Sequence, residues 1–242
     1  MRLVAVFPGC KSHSHNVPWP RSGSRPCAAA STGAIERYGA FVFVKICGLS
    51  EPEHVAAAAE AGADAVGFLL SPSPRRVTPE RARDLASALP SGVLAVGVFA
   101  GVPVEAIQRD AAVAGVGAVQ LHGGDYRRED FEALADYPGE LIRAVPDSVG
   151  ASARFGEFGE DYLLVDSPRP GSGEAWDWGG LGAGPGGRWM LAGGLRPDTV
   201  AEAIAQARPW GVDVSSGVEV RRGIKDAELI ARFIANAKAA LG

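Results

Sequence analysis

The stretch Val44-Lys45-Ile46-Cys47-Gly48 predicts the first strand of the fold, because β-branched residues lead to a thiol and a glycine. Side chains two residues apart in a strand share a face, so Lys45 and Cys47 point the same way. An unpaired ammonium is costly to bury. A lysine within such an apolar strand therefore needs a polar partner elsewhere in the chain.

From residue 41 the sequence repeats a short apolar run, a turn and an Ala-rich amphipathic stretch. This alternation predicts a parallel sheet with crossover helices. The eight apolar runs are residues 41–47, 63–70, 93–99, 118–122, 140–145, 162–166, 189–192 and 212–215. The helical stretches are 52–61, 79–89, 103–114, 128–137, 197–207 and 226–241, with short or brief helices expected in 150–159 and 179–187.

Eight strands predict an α/β fold, a single (β/α)8 TIM barrel over residues 41–242. A doubly wound open sheet is the alternative, but it predicts fewer strands and a glycine fingerprint after the first. Residues 1–40 show neither strand nor helix periodicity and carry no acidic residue before Glu36. They are interpreted as a disordered leader or an artefactual extension. A metal-binding tract and a transit peptide are the less favoured interpretations of the same residues.

Composition limits the function classes. A net charge of -4 and the lack of a basic stripe argue against a nucleic-acid partner. No apolar run approaches the roughly 20 residues of a membrane span, so we expect no membrane association and a cytoplasmic location. Of the three cysteines only Cys47 lies in the patterned region, so no disulfide framework is implied.

Closure of the barrel would set the eighth strand beside the first. Asp213 precedes Ser215 by two residues as Lys45 precedes Cys47, so we predict that Asp213 is the buried partner of Lys45. Gln120 and Arg143 are predicted as further polar interior residues.

Barrels of this kind carry their chemistry where the strands end at the carboxyl side. The candidates there are Cys47, His122, Asp166, Ser215, Ser216, and Arg75 and Arg76 after the second strand. Gly193-Gly194 and Ser215-Ser216-Gly217 follow strands seven and eight, where backbone N–H groups commonly bind phosphate. His122 has no cluster of metal-ligand spacing beside it, and no metal is predicted.

Seven motifs in order resemble the phosphoribosylanthranilate isomerase family of tryptophan biosynthesis. They run from about residue 44 to the C-terminus and are Lys45-Ile46-Cys47-Gly48, Gly62-Ala63-Asp64-Ala65-Val66-Gly67-Phe68, Ser73-Pro74-Arg75-Arg76, Gln120-Leu121-His122-Gly123, Leu164-Val165-Asp166, Ala192-Gly193-Gly194-Leu195 and Val212-Asp213-Val214-Ser215-Ser216-Gly217-Val218-Glu219. The resemblance implies an Amadori rearrangement of N-(5-phosphoribosyl)anthranilate to 1-(2-carboxyphenylamino)-1-deoxyribulose 5-phosphate. It implies a small phosphosugar substrate and no cofactor.

The resemblance also implies the site residues. Asp166 would be the general acid that opens the ribose ring, and Cys47 the general base that removes the C2' proton. The acid then needs a raised pKa and the thiol a lowered one. Arg76 matches the ligand of the anthranilate carboxylate, and Gly193, Gly194, Ser215, Ser216 and Gly217 match the phosphate loops.

One residue departs from the family pattern: Glu174 stands where a lysine follows Gly-x-Gly after strand six, which puts a charge role for that loop in doubt. An isomerase of histidine biosynthesis is an alternative, but it would carry a carboxylate in place of Cys47. A metal-dependent ribulose-phosphate epimerase is a second alternative, but it would need histidine ligands near the strand ends, where His122 is the only histidine. A non-catalytic phosphate-binding barrel would have no use for an acid and a base. The sequence leaves monomer and homodimer equally open.

Overall fold

The chain folds into a closed barrel of eight parallel strands in chain order, with the last strand beside the first. The structure is a computed structural model that describes residues 41–150, 152–167, 176–181 and 184–240. The strands are β1 (Phe43–Cys47), β2 (Ala65–Leu69), β3 (Leu94–Phe99), β4 (Ala118–His122), β5 (Glu140–Pro146), β6 (Tyr162–Asp166), β7 (Trp189–Leu191) and β8 (Gly211–Val214). The predicted (β/α)8 barrel is confirmed.

Helices cover the outside of the barrel, and local signals set several of their ends. The Thr78 hydroxyl and the Asp226 carboxylate each accept a hydrogen bond from a backbone N–H of the first turn that follows them. Gly115 ends its helix with a left-handed φ of 61°. The helices are α1 (Pro52–Glu60), α2 (Pro79–Ser87), α3 (Val104–Ala114), α4 (Arg128–Ala133), α5 (Asp147–Gly150), α6 (Val200–Ala207) and α7 (Ala227–Ala239).

Brief helices were predicted in the connections after β5 and β6. After β5 the helical turn α5 lies at Asp147–Gly150, and the described residues 152–159 form turns, so the short helix predicted for 150–159 is wrong in position. Among the described residues after β6, a 3-10 turn spans Trp178–Leu181 and overlaps the range 179–187 in which a brief helix was predicted. Glycine disfavours a regular helix there because it loses more backbone entropy than other residues.

Side chains of the strands divide into two apolar layers. The outward face packs under the helices, and the inward face fills the barrel. The inward layer consists chiefly of Cys47, Ala65, Val96, Val98, Ala118, Ile142, Ala144, Tyr162, Leu164, Met190 and Ala192. Cys47 therefore belongs to the barrel interior. So does Leu164, which lies on the same face of β6 as Asp166.

A buried ion pair joins the strands at the closure of the barrel. Lys45 is the register partner of Asp213, and its Nζ lies 2.8 Å from Asp213 Oδ1. The Lys45 side chain is fully buried and the Asp213 side chain is 10% exposed. This is the pairing that the matched spacing of the two strands predicts.

Gln120 is buried inside the barrel, but the prediction that Arg143 also lies inside is wrong. Ile142 and Ala144 occupy the inward face of β5, so alternation turns Arg143 outward. Its guanidinium stacks on the Phe158 ring at 3.6 Å from the centroid and bonds the Glu157 carboxylate at 3.0 Å. The charge is thus paired between the barrel and the chain that follows α5.

Beyond β8 the chain forms a small antiparallel hairpin of β9 (Glu219–Arg221) and β10 (Ile224–Lys225). The sequence pattern does not predict this hairpin. The predicted leader over residues 1–40 and the loop with Glu174 lie outside the described residues. In the part of the chain that is described, no helix has the length and apolar character needed to cross a bilayer.

Removing one charge from the interior pair should be costly. We expect Lys45→Met to lower the free energy of unfolding by about 3–5 kcal/mol, because it leaves the Asp213 carboxylate buried without its counter-charge. Urea unfolding measures the change. Lys238→Met is the matched control: Lys238 pairs with Asp64 at 3.1 Å on the surface, where such pairs contribute about 0–1 kcal/mol. Equal losses in the two variants would contradict a structural role for the interior pair.

Candidate active site

The carboxyl ends of the strands bring a thiol, a carboxylate and an imidazole to one end of the barrel. Cys47 ends β1, His122 ends β4 and Asp166 ends β6. The Asp213 carboxylate acts electrostatically on both Cys47 and Asp166, raising the pKa of each. The two groups that the sequence singles out as base and acid therefore share one interior.

The Cys47 thiol is buried close to the Lys45 ammonium. Its sulfur fills the space that a side chain at Gly67 would occupy, 2.9 Å from where a Cβ would stand, and the Lys45 Nζ lies 3.4 Å from the same point. Burial raises the pKa of the Cys47 thiol, and the Lys45 and Lys225 ammonium groups oppose that rise only in part. The direction is opposite to the lowered pKa expected from the sequence, because the thiol is only 7% exposed.

The environment of Asp166 favours the protonated form of its carboxyl group. Burial raises its pKa, while His122 and the Ser167 backbone N–H lower it. The Ser167 N–H donates to Asp166 Oδ1 at 2.7 Å, and His122 Nε2 lies 3.6 Å from Oδ2. The net direction is upward, as a general acid near neutral pH requires.

His122 is held from the opposite side by Gln120. The Gln120 Nε2 lies 3.3 Å from His122 Nδ1. With the amide in that orientation it donates, so a neutral imidazole accepts at Nδ1 and carries its proton on Nε2, toward Asp166. His122 thus acts as the hydrogen-bonded neighbour of the carboxyl group.

The turns after β7 and β8 lie together around a cavity of about 50 Å³. Asp166 and Asp213 border it, and the turn residues that line it include Gly193, Gly194, Ser215, Ser216 and Gly217. Gly193 has a φ of 80°, and a Cβ there would collide with Ser167 and come within 2.7 Å of Asp166 Oδ1. Glycine is required because the backbone has a left-handed φ and because Ser167 and the Asp166 carboxylate occupy the place of a side chain.

Of the two arginines after β2, Arg75 is the one that reaches this end of the barrel. Its Nε and Nη2 bond the two oxygens of Glu219 at 2.6 and 2.9 Å, and its side chain is 10% exposed. Its Cδ lies 2.8 Å from where a Cβ on Gly48, the residue after Cys47, would stand. Arg76 is exposed.

Glu219 and Lys225 belong to the same constellation, although sequence reasoning gave them no role. Lys225 Nζ lies 2.9 Å from Glu219 Oε1 and 3.1 Å from Ser215 Oγ. Both residues come from the β9–β10 hairpin. The signal for Glu219 was its place at the end of the last motif, whereas no motif reached Lys225.

A second cavity and the metal-ligating side chains offer no alternative site in the described part of the chain. A cavity of about 300 Å³ lies at the opposite end of the barrel, near the C-terminal ends of α2 and α3, and Arg83 is the one titratable residue that lines it. It offers no acid and base pair. Among the described residues, no group of three or more histidines, cysteines, aspartates or glutamates has the geometry of a metal site.

Comparison with known proteins gives a consistent result. The family model described as N-(5'phosphoribosyl)anthranilate (PRA) isomerase matches residues 44–236. An N-(5'-phosphoribosyl)anthranilate isomerase of Geobacter sp. (strain M21) is 40% identical over 208 residues, covering 81% of this chain and 97% of the relative.

Two solved structures are similar to this chain in fold as well as in sequence. TrpF from Jonesia denitrificans is 41% identical, with a TM-score of 0.75 over 83% of this chain and 98% of its own. A phosphoribosyl anthranilate isomerase in complex with reduced 1-(o-carboxyphenylamino)-1-deoxyribulose 5-phosphate is 35% identical, with a TM-score of 0.70 over 82% of this chain and 100% of its own.

The raised pKa of Cys47 can be measured directly. Alkylation by iodoacetamide follows the thiolate, so its rate against pH should have a midpoint above the value of about 8.5 for a free cysteine. Peptide-resolved mass spectrometry separates Cys47 from Cys10 and Cys27 in the full chain. A midpoint below about 8 would mean that the lysines outweigh burial.

Proposed function

We propose the following residue roles on the premise that this chain belongs to the N-(5'-phosphoribosyl)anthranilate isomerase family. The chain catalyses the Amadori rearrangement of N-(5-phosphoribosyl)anthranilate to 1-(2-carboxyphenylamino)-1-deoxyribulose 5-phosphate in tryptophan biosynthesis. One observation carries the proposed roles: a buried carboxyl group and a thiol flanked by ammonium groups share the same end of one barrel.

Asp166 is the general acid that protonates the ribose ring oxygen, so that the ring opens to a Schiff base. Burial raises the pKa of Asp166, the direction that favours the protonated form a general acid needs. Once the proton leaves, the Ser167 N–H at 2.7 Å and the His122 imidazole stabilise the carboxylate that remains. The Ser167 N–H and His122 thus oppose the rise in the pKa of Asp166 because they stabilise its carboxylate, the form that remains after proton transfer.

Cys47 is the general base that removes the C2' proton from the Schiff base, giving an enolamine that tautomerises to the ketone. Its sulfur must be ionised to do so, whereas burial favours the thiol. The reactive enzyme therefore carries a proton on Asp166 and none on Cys47, and kcat/KM should be bell-shaped in pH. The Lys45 ammonium stabilises the thiolate in this form.

The phosphate is assigned to the turns after β7 and β8, at Gly193, Gly194, Ser215, Ser216 and Gly217. Gly193 and Gly194 both have a left-handed φ, at 80° and 68°, which lets the backbone approach an anion closely. The phosphate does not react, so its binding energy serves to hold the sugar carbons against the acid and the base.

The anthranilate carboxylate is assigned to Arg75 in place of Arg76. Arg75 lies against Gly48, next to Cys47, whereas Arg76 is exposed. Glu219 occupies Nε and Nη2, which leaves Nη1 to donate to a carboxylate. Glu219 also fixes the guanidinium before the substrate arrives, so less side-chain entropy is lost on binding.

Replacing the acid or the base should collapse turnover. We expect Cys47→Ser and Asp166→Asn each to lower kcat by about 10²- to 10⁴-fold, the usual contribution of general acid–base catalysis, with both variants folded. Turnover is followed as the loss of substrate fluorescence. Asp136→Asn, which changes an exposed aspartate in the same way, should leave kcat unchanged. Full activity in either variant would remove the mechanism.

The two arginines can be separated in one comparison. Arg75→Ala should raise KM by about 10- to 100-fold, since a hydrogen bond to a charged group is typically worth 1.5–3 kcal/mol. Arg76→Ala is the neighbouring control and should change KM less than about twofold. The reverse pattern, with KM raised by Arg76→Ala alone, would restore the assignment made from the sequence.

A further inference from the structure

The β9–β10 hairpin stands outside the barrel, yet it places a buried charge at the active end. Lys225, the last residue of β10, is only 4% exposed. Its neighbour Ile224 is exposed, as alternation along a strand requires. The ammonium of Lys225 is therefore directed inward, although no step of the isomerisation uses it.

The Lys225 ammonium has three hydrogen-bond partners, which match its three donors. It donates to the Ser215 backbone oxygen at 2.8 Å, to Ser215 Oγ at 3.1 Å and to Glu219 Oε1 at 2.9 Å. Glu219 in turn accepts from Arg75 and from the Gly223 N–H. A single ammonium thus joins the turn after β8 to the hairpin and, through Glu219, to the loop after β2.

This contact settles what the Ser215 hydroxyl can do. Because Ser215 Oγ accepts from Lys225, its own proton is available for a different acceptor. The oxygen lies 3.2 Å from where a Cβ on Gly48 would stand, beside the end of β1. The hydroxyl is therefore held against Gly48, the residue that follows Cys47, and its proton is directed to an acceptor other than Lys225.

The charges that face Cys47 come from four elements. Lys45 on β1, Lys225 on β10 and Arg75 after β2 are cationic, and Asp213 on β8 is anionic. The Glu219 carboxylate beside Lys225 has its pKa lowered to about 2, so it stays ionised throughout the neutral range. Burial lowers the pKa of Lys225, and Glu219 acts against that change to keep the ammonium charged.

We propose that Lys225 is a positioning residue that holds the turn at Ser215 against Glu219 and sets a positive charge at the end of β1 that carries Cys47. Its effect on turnover rests on the proposed role of Cys47 as the base. Its effect on the ionisation of the thiol does not. This difference allows the two proposals to be tested separately.

The first experiment reads the thiol itself. In the full chain, the rate of Cys47 alkylation by iodoacetamide is measured against pH, with the peptide containing Cys47 followed by mass spectrometry. Lys225→Met should move the midpoint upward, by up to about one pH unit, because the thiolate loses one opposite charge. Lys225→Arg should bring the midpoint back toward wild type because it keeps the charge. Lys238→Met, on the surface of α7, should leave it in place.

Lys225→Gln provides a second neutral variant with hydrogen-bond donors, in case the methionine variant does not fold. A wild-type midpoint in a folded neutral variant, or a failure of arginine to restore it, overturns the proposal. The direction of the shift in the midpoint separates the two causes. A structural loosening that admits water would relieve the burial of the thiol and move the midpoint downward, whereas the loss of a positive charge moves it upward.

The second experiment separates this inference from the proposed function. The basic limb of kcat/KM against pH is measured for the same variants. If Cys47 is the base, the limb moves together with the alkylation midpoint. A shifted midpoint with an unmoved limb supports Lys225 as a positioning residue and contradicts Cys47 as the base.

Discussion

The Lys45–Asp213 ion pair is the interaction on which the rest of the active end depends. It lies at the register where the last strand meets the first, so it forms only when the barrel is closed. It also supplies the ammonium and the carboxylate that act on Cys47, and the same carboxylate acts on Asp166. Closure of the sheet and the ionisation of the reacting groups are therefore coupled through two side chains.

Burial acts on the thiol and on the carboxyl group in the same direction, and their neighbours decide the difference. Each group loses water, which favours its neutral form. Asp166 has one imidazole and one N–H in contact, whereas Cys47 has two ammonium groups acting on it. Burial outweighs these contacts at both positions, since the pKa of each group is raised. The Lys45 and Lys225 ammonium groups reduce the free energy required to ionise the thiol.

The sequence predicts the barrel well because strand alternation and helix periodicity recur over eight units. Alternation also predicts the Lys45–Asp213 pair from equal spacing to Cys47 and Ser215. Alternation does not decide the position of Arg143, because both faces of β5 carry apolar residues. Only the structure shows that Ile142 and Ala144 face inward and that Arg143 faces outward.

Other features were beyond the sequence for physical reasons. The hairpin strands have three and two residues, too few to show a period, so Lys225 could not be placed. The choice between Arg75 and Arg76 depends on the direction of a loop side chain. The direction of the Cys47 pKa depends on the balance of desolvation against several charges, and only coordinates give their positions.

Small residues at the strand ends provide the space in which this chemistry fits. Gly67 on β2 leaves room for the Cys47 sulfur and the Lys45 ammonium, and Gly193 after β7 leaves room for the Asp166 carboxylate. A methyl group at Gly67 would overlap the Cys47 sulfur, and one at Gly193 would overlap Ser167 and the Asp166 carboxylate. These glycines are therefore part of the geometry that surrounds the proposed acid and the proposed base. Because neither glycine has a side chain, Cys47 of β1 packs against β2, and Asp166 of β6 packs against the turn after β7.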